Sequence, residues 1–203
     1  MVINRVLDEI FRTWSNVAVL RALLDTNTGF SGNEVARVAG MNPRSAFKAL
    51  TSLEELGLVN RVVGGRDHIF TLNREHYLVQ EIILKIYPIE SRFINEVIRS
   101  LSAILKGHVY SAVIFGSVAR KEEKSLSDLD ICCIVNSSSE VLFARDLLNK
   151  KSSMLYKKYG IRLAPVVFMK AQFMRKRKTK LIKDIAEKGI SVTGKSIKGL
   201  LNG

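Results

Sequence analysis

Cysteine and histidine are scarce in this chain of 203 residues, two and three respectively, and there are only three prolines. The cysteines, Cys132 and Cys133, are neighbours in a stretch that reads as a β-strand. Successive strand side chains point to opposite faces, so a bridge between them is geometrically poor; buried thiols in a reducing cytoplasm are expected. His68, His76 and His108 are scattered. No His/Cys spacing suggests zinc, and no Ser-His-Asp set is present. No apolar run approaches the roughly 20 residues of a transmembrane helix. The first fourteen residues carry acids within their apolar pattern and lack a small-residue cleavage site, which argues against a signal peptide. A cytoplasmic location and no membrane partner are therefore expected. No internal repeat and no Gly/Ser-rich linker breaks the chain, whose length suits one large domain or two small ones.

Acidic residues are missing from one region in particular. The net charge is +13, with 32 basic and 19 acidic side chains. Residues 145–203 hold 16 of the basic residues and only 3 of the acidic ones, so the whole excess lies there. Such a surplus suits a polyanionic partner or a solvated lysine-rich helix face.

Helical spacing runs through residues 2–14 (Val6, Leu7, Ile10, Phe11, Trp14) and again through 16–24. Ser31 with Glu34 three residues on predicts a capping box for a short helix over 32–39. Asn42-Pro43 starts another helix to about Leu56, with Ala46, Phe47, Leu50, Leu53 and Leu56 inward and Arg44, Ser45, Lys48, Ser52 and Glu55 outward. Two β-type runs, 58–63 and 68–72, flank a turn at residues 64–67. Helix, helix, turn, helix, hairpin resembles the winged-helix DNA-binding superfamily over roughly residues 5–73. The resemblance implies that the helix 43–56 enters the major groove with Arg44, Ser45 and Lys48 as DNA contacts and Arg66 on the wing. The net charge of residues 1–73 is only +1. That is low for neutralising phosphates, so a protein-contact role stays open. Residues 74–86 and 90–105 read as two connecting helices broken at Tyr87-Pro88.

Residues 110–135, YSAVIFGSVARKEEKSLSDLDICCIV, carry the most chemical information. An apolar run ends at Gly116-Ser117, where a strand meets a helix start and backbone N–H groups can hold phosphate. Asp128-Leu129-Asp130 then opens a second apolar run; strand alternation puts both carboxylates on one face, and a divalent cation relieves their repulsion. A helix over 141–159, a strand over 161–169 with Pro165 suited to an edge strand or a bulge, a basic helix over 172–187 and a short strand at 190–192 follow.

FGSVAR followed by SDLDI resembles the minimal, prokaryotic nucleotidyltransferase domain of the DNA polymerase β superfamily, over roughly residues 90–193. The resemblance gives Gly116, Ser117 and Arg120 to the nucleotide triphosphate, and Asp128 and Asp130 to catalysis and to Mg²⁺. Two departures stand out. Lys121 replaces the usual glycine after the arginine. The strand expected to supply a third carboxylate reads IRLAPVVFM and holds neither Asp nor Glu. Glu122, Glu123, Glu140 and Asp146 fall on loops or helices without an assigned place at the site.

The expected fold class is α+β: a helix-rich winged-helix domain (1–73), connecting helices (74–105), and a small mixed-sheet nucleotidyltransferase domain with a basic C-terminal helix (106–203). The resemblance implies Mg²⁺-dependent transfer of a nucleoside monophosphate from an NTP, ATP first among them, to an unknown acceptor. In similar proteins acceptors are antibiotics, nucleic acids, or protein side chains in antitoxins that modify a HEPN-type toxin. The alternative is a catalytically weak or inactive nucleotide-binding transcriptional regulator. Expected partners are the NTP, DNA through the winged helix, a nucleic-acid or protein acceptor, and a second copy in a homodimer.

Overall fold

A computed structural model describes residues 3–64 and 67–202 of the chain, which divides into two compact units, Met1–Arg92 and Phe93–Gly203. The fold class is α+β, as expected.

In the first unit, α1 (Val6–Ile10) and α2 (Trp14–Leu24) precede β1 (Phe30–Ser31), α3 (Gly32–Val38), α4 (Pro43–Glu55), β2 (Val59–Gly64) and β3 (Asp67–Leu72). Caps set the helix starts. Ser31 Oγ accepts from Glu34 N at 3.3 Å while Ser31 N donates to Glu34 Oε2 at 2.8 Å, the expected capping box. Asn42 Oδ1 accepts from Ser45 N at 2.9 Å, and Pro43 opens α4, where a missing N–H costs nothing. The strands form an antiparallel sheet ordered β1-β3-β2, with Val63 opposite His68. Leu20, Leu23, Leu50, Leu53, Leu58 and Ile83 fill the core; each contributes roughly 1.5–3 kcal/mol on burial.

The inward faces differ from expectation in detail. Phe47 is exposed while Ala49 is buried; the Phe47 ring covers Gly32, where a Cβ would approach it to 2.3 Å, so it lies across α3 instead of under it. Leu7, Phe11 and Trp14 are exposed and only Ile10 of α1 is buried, because the first helix stops at Ile10 and Trp14 opens a separate one.

A π-helical turn, Val79–Ile83, leads into α5 (Leu84–Leu105), a single helix with Pro88 inside it. The break expected at Tyr87-Pro88 does not occur. Burial on both sides of the proline overrides its local preference: Ile83 and Tyr87 sit in the first core, and Val97, Leu101 and Leu105 in the second. The Tyr87 hydroxyl donates to Val17 O at 2.7 Å, and Arg92 Nε donates to Pro88 O at 2.9 Å.

In the second unit, β4 (Ser111–Ile114), α6 (Gly116–Arg120), β5 (Leu129–Val135), α7 (Ser138–Tyr159), β6 (Leu163–Met169), α8 (Lys170–Arg175), α9 (Lys180–Lys188), β7 (Ile190–Gly194) and α10 (Ile197–Asn202) follow α5. The mixed sheet is ordered β6-β5-β4-β7; only the β5–β6 pair is parallel. Pro165 lies on β6, an edge strand, as its missing N–H requires. Strand alternation splits the core into two layers. Ile131 and Cys133 face Leu101, Ala144 and Leu148; Cys132 and Ile134 face Phe173, Ile182 and Ile185. The two cysteines are therefore fully buried in different layers and unbridged, and burial pushes both thiols up to about 12.

On α7, Leu142 and Met154 point to solvent, and Ala144 takes an inward place instead. The basic helix expected over 172–187 is two helices joined by an exposed turn, in which Thr179 N donates to Lys176 O at 2.9 Å. Among the described residues, no helix is long and apolar enough to cross a membrane.

Candidate active site

β4 hands over to α6 at Phe115, whose extended backbone donates from N to Asp130 O at 3.0 Å. Gly116 then turns with φ +72°. A Cβ there would stand 2.0 Å from Asp130 Oδ2. Both the backbone angle and the space demand glycine, and the space is filled by the Asp130 carboxylate. No side chain caps α6, so its first-turn N–H groups have no side-chain partner from residue 115. The helix ends at Lys121 with φ +58°, and Glu122 N donates to Ser117 O at 2.9 Å. The left-handed turn explains what a glycine would do at position 121; here a lysine adopts the same conformation at a cost of about 1–2 kcal/mol.

Residues 121–128 are exposed. Within them Lys124 N donates to Ser127 Oγ, and Ser127 N to Lys124 O, both at 2.9 Å. This closed turn delivers Asp128 to the mouth of β5. Leu129 N donates to Arg162 O at 2.8 Å, which starts the β5–β6 pairing, and Leu129 is buried. Asp128 precedes the strand and is exposed; its Oδ1 lies 3.7 Å from Arg162 Nε. Asp130 is half-buried on the opposite side from Leu129. Burial first, and the charge of Asp128 second, raise the Asp130 carboxyl above its ordinary range, against the Arg120 charge that lowers it.

Arg120 is held by two carboxylates. Its Nε donates to Glu122 Oε2 at 2.8 Å and its Nη1 to Asp184 Oδ2 at 3.0 Å. Lys188 Nζ lies 3.8 Å from the other Asp184 oxygen. Facing Asp130 across the parallel pair, in register on β6, is Ala164. Among the described residues, no group of three or more His, Cys, Asp or Glu could hold a metal ion.

Gly116, Ser117, Arg120, Asp128 and Asp130 thus fall within one corner of the second unit. Arg44, Ser45 and Lys48 lie on α4 of the first unit, with Arg44 and Lys48 exposed. Arg66 lies outside the described residues. Two residues at this corner went unrecognised in the sequence, Asp184 and Arg162. Asp184 is one of just three acids after residue 144, and that isolation among lysines is the signal that marks it. Arg162 carries no such signal; only strand pairing brings it to Asp128.

No curated protein matches this chain. Among solved structures, a toxin–antitoxin with AMP-PNP aligns at 14% identity over 52% of this chain and 81% of its own, with a TM-score of 0.38. A mutant of the toxin–antitoxin MntA–HpeT aligns at 12% identity over 52% of this chain and 80% of its own, with a TM-score of 0.35. TrmBL2, an archaeal chromatin protein, aligns at 15% identity over 90% of this chain and 72% of its own, with a TM-score of 0.31. Residues 94–192, which include the whole Gly116–Asp130 corner, match the family model of the nucleotidyltransferase domain.

Proposed function

We propose that the second unit binds a nucleoside triphosphate with Mg²⁺ at the Gly116–Asp130 corner and transfers its nucleoside monophosphate to an acceptor. The observation that carries this reading is the Asp130 carboxylate packed against Gly116, beneath the uncapped start of α6. The family match of residues 94–192 supports the reaction class. Asp128 and Asp130 fit a divalent cation: the two are coupled by charge, and the raised Asp130 carboxyl is what an opposing charge would relieve. When bound, the cation would offset the charge of the triphosphate and of the departing pyrophosphate. Gly116 leaves room for the Asp130 carboxylate against the turn into α6, and the Ser117 hydroxyl donates to a phosphate oxygen. The acceptor hydroxyl attacks the α-phosphorus in line, so catalysis rests on positioning. Arg120 reaches a phosphate only by leaving Glu122 or Asp184; in its present bonds it orients α6 against α9.

Ala164 favours a second reading. It faces Asp130 where a third carboxylate would accept the acceptor's proton, and it cannot do so. In that reading the corner binds Mg–NTP and the chain acts as a nucleotide-responsive regulator. Either way, residues 1–73 serve as a winged-helix module, with Arg44, Ser45 and Lys48 of α4 toward duplex DNA. Calorimetry with MgATP tests the shared step. Wild type is expected to bind and Asp128→Asn/Asp130→Asn to bind at least 10-fold more weakly; equal affinity would remove the site.

A further inference from the structure

Eight of the sixteen basic residues of 145–203 lie on α8, the turn after it, and α9 of the second unit. Arg175, Lys176, Arg177, Lys178, Lys180 and Lys183 are all exposed. Among the described residues none of them has a carboxylate within 4.0 Å, whereas Arg120 and Lys188 are both paired with Asp184 on α9. Six unpaired cations within nine residues repel one another, and the helix break at the turn spreads them over a wider surface.

Beside this turn lies a cavity of about 390 Å³ lined by Arg145, Val167, Phe168, Gln172, Arg175 and Lys176. Its parts differ in chemistry. Phe168 offers an aromatic face, with Lys176 Nζ 5.4 Å from the ring centroid. Gln172 accepts from Met169 N through Oε1 at 3.2 Å, which leaves its amide NH₂ free to donate. Arg145 and Arg175 bring guanidinium groups to the rim. An aromatic platform, an amide donor and a cationic border are the requirements of a base with its flanking phosphates. An acidic peptide would use the cations and leave the ring and amide without a partner.

We propose that this surface binds single-stranded nucleic acid: phosphates along Arg175–Lys183, and one base in the cavity over Phe168. Lys176 swings off the ring to a phosphate as the base stacks. The contact is independent of the Asp128–Asp130 corner and does not rest on the reading of that corner as a transferase.

Fluorescence anisotropy of a labelled single-stranded RNA 20-mer, on the full chain, tests it. Binding is expected to weaken steeply with salt, with a log–log slope of about −0.7 for each phosphate neutralised. Arg175→Glu/Arg177→Glu/Lys178→Glu is expected to lose at least 10-fold in affinity while keeping the wild-type melting temperature, since all three side chains are exposed. Phe168→Leu, which keeps an apolar side chain in place, is expected to lose about 3-fold or more through the lost stack. Asp128→Asn/Asp130→Asn is expected to bind RNA like wild type. Polyglutamate of equal charge should compete at least 10-fold less well than unlabelled RNA. Equal competition by polyglutamate, unchanged affinity of Phe168→Leu or of the charge-reversed variant, or no binding at low salt would each overturn the proposal.

Discussion

At Gly116 the cost of any side chain can be named atom by atom. The residue has φ +72°, and the Cβ position lies 2.0 Å from Asp130 Oδ2. Gly116→Ala must strain the backbone and push the Asp130 carboxylate away. A loss of about 1–3 kcal/mol in urea unfolding is expected, with MgATP affinity falling alongside. Asp130 gives the complementary test. Its carboxyl is raised by burial and by Asp128, so the unfolded chain releases this proton at lower pH than the native one. Native stability therefore falls as pH rises through the interval between the two values, and the penalty is complete above it. Asp130→Asn removes the penalty. In metal-free buffer the variant is expected to melt above wild type at pH 7, with the difference vanishing below the carboxylate range. A binding site that is destabilising when empty would explain why so polar a pair sits at this strand end.

Among the elements, what was legible in the sequence is what local chemistry decides. The Ser31–Glu34 box, the Asn42-Pro43 start, the antiparallel pairing of the two β runs and the Gly-Ser turn into α6 each carry their own signal, and each stands in the structure; residues 65 and 66 of the expected hairpin turn lie outside the described residues. The errors fall where distant contacts decide. Pro88 reads as a break, but Tyr87 and Val97 on either side are anchored in two cores, so α5 continues. Phe47 reads as core by spacing, but it finds Gly32 and Phe70 at the edge, ring to ring at 6.3 Å. Asp184 pairs with Arg120 across 64 residues, and no periodicity reports such a pair. Lys121 belongs at this scale too, because it closes α6 in a left-handed turn. Lys121→Gly relieves that strain at some cost in unfolded-state entropy. Stability is expected to rise by about 0.5–1 kcal/mol in urea, without loss of MgATP binding.

Across the whole chain, charge is the property that separates the regions. Residues 1–73 carry a net +1, and residues 145–203 carry 16 cations against 3 acids. If duplex DNA is bound through α4, Arg44→Ala/Lys48→Ala is expected to weaken binding about 10-fold at low salt and to reduce the salt slope by about 2. A slope that does not change would place the duplex contact away from α4. The reaction itself has a more direct readout. The full chain, incubated with α-labelled ATP, Mg²⁺ and a panel of nucleic-acid, protein and small-molecule acceptors, is expected to leave label on one acceptor class. Label should be lost in Asp128→Ala/Asp130→Ala and retained in Arg44→Ala/Lys48→Ala. Tight MgATP binding with no label on any acceptor would contradict transfer and leave the nucleotide-responsive reading that Ala164 favours; label that survives loss of both aspartates would contradict the site.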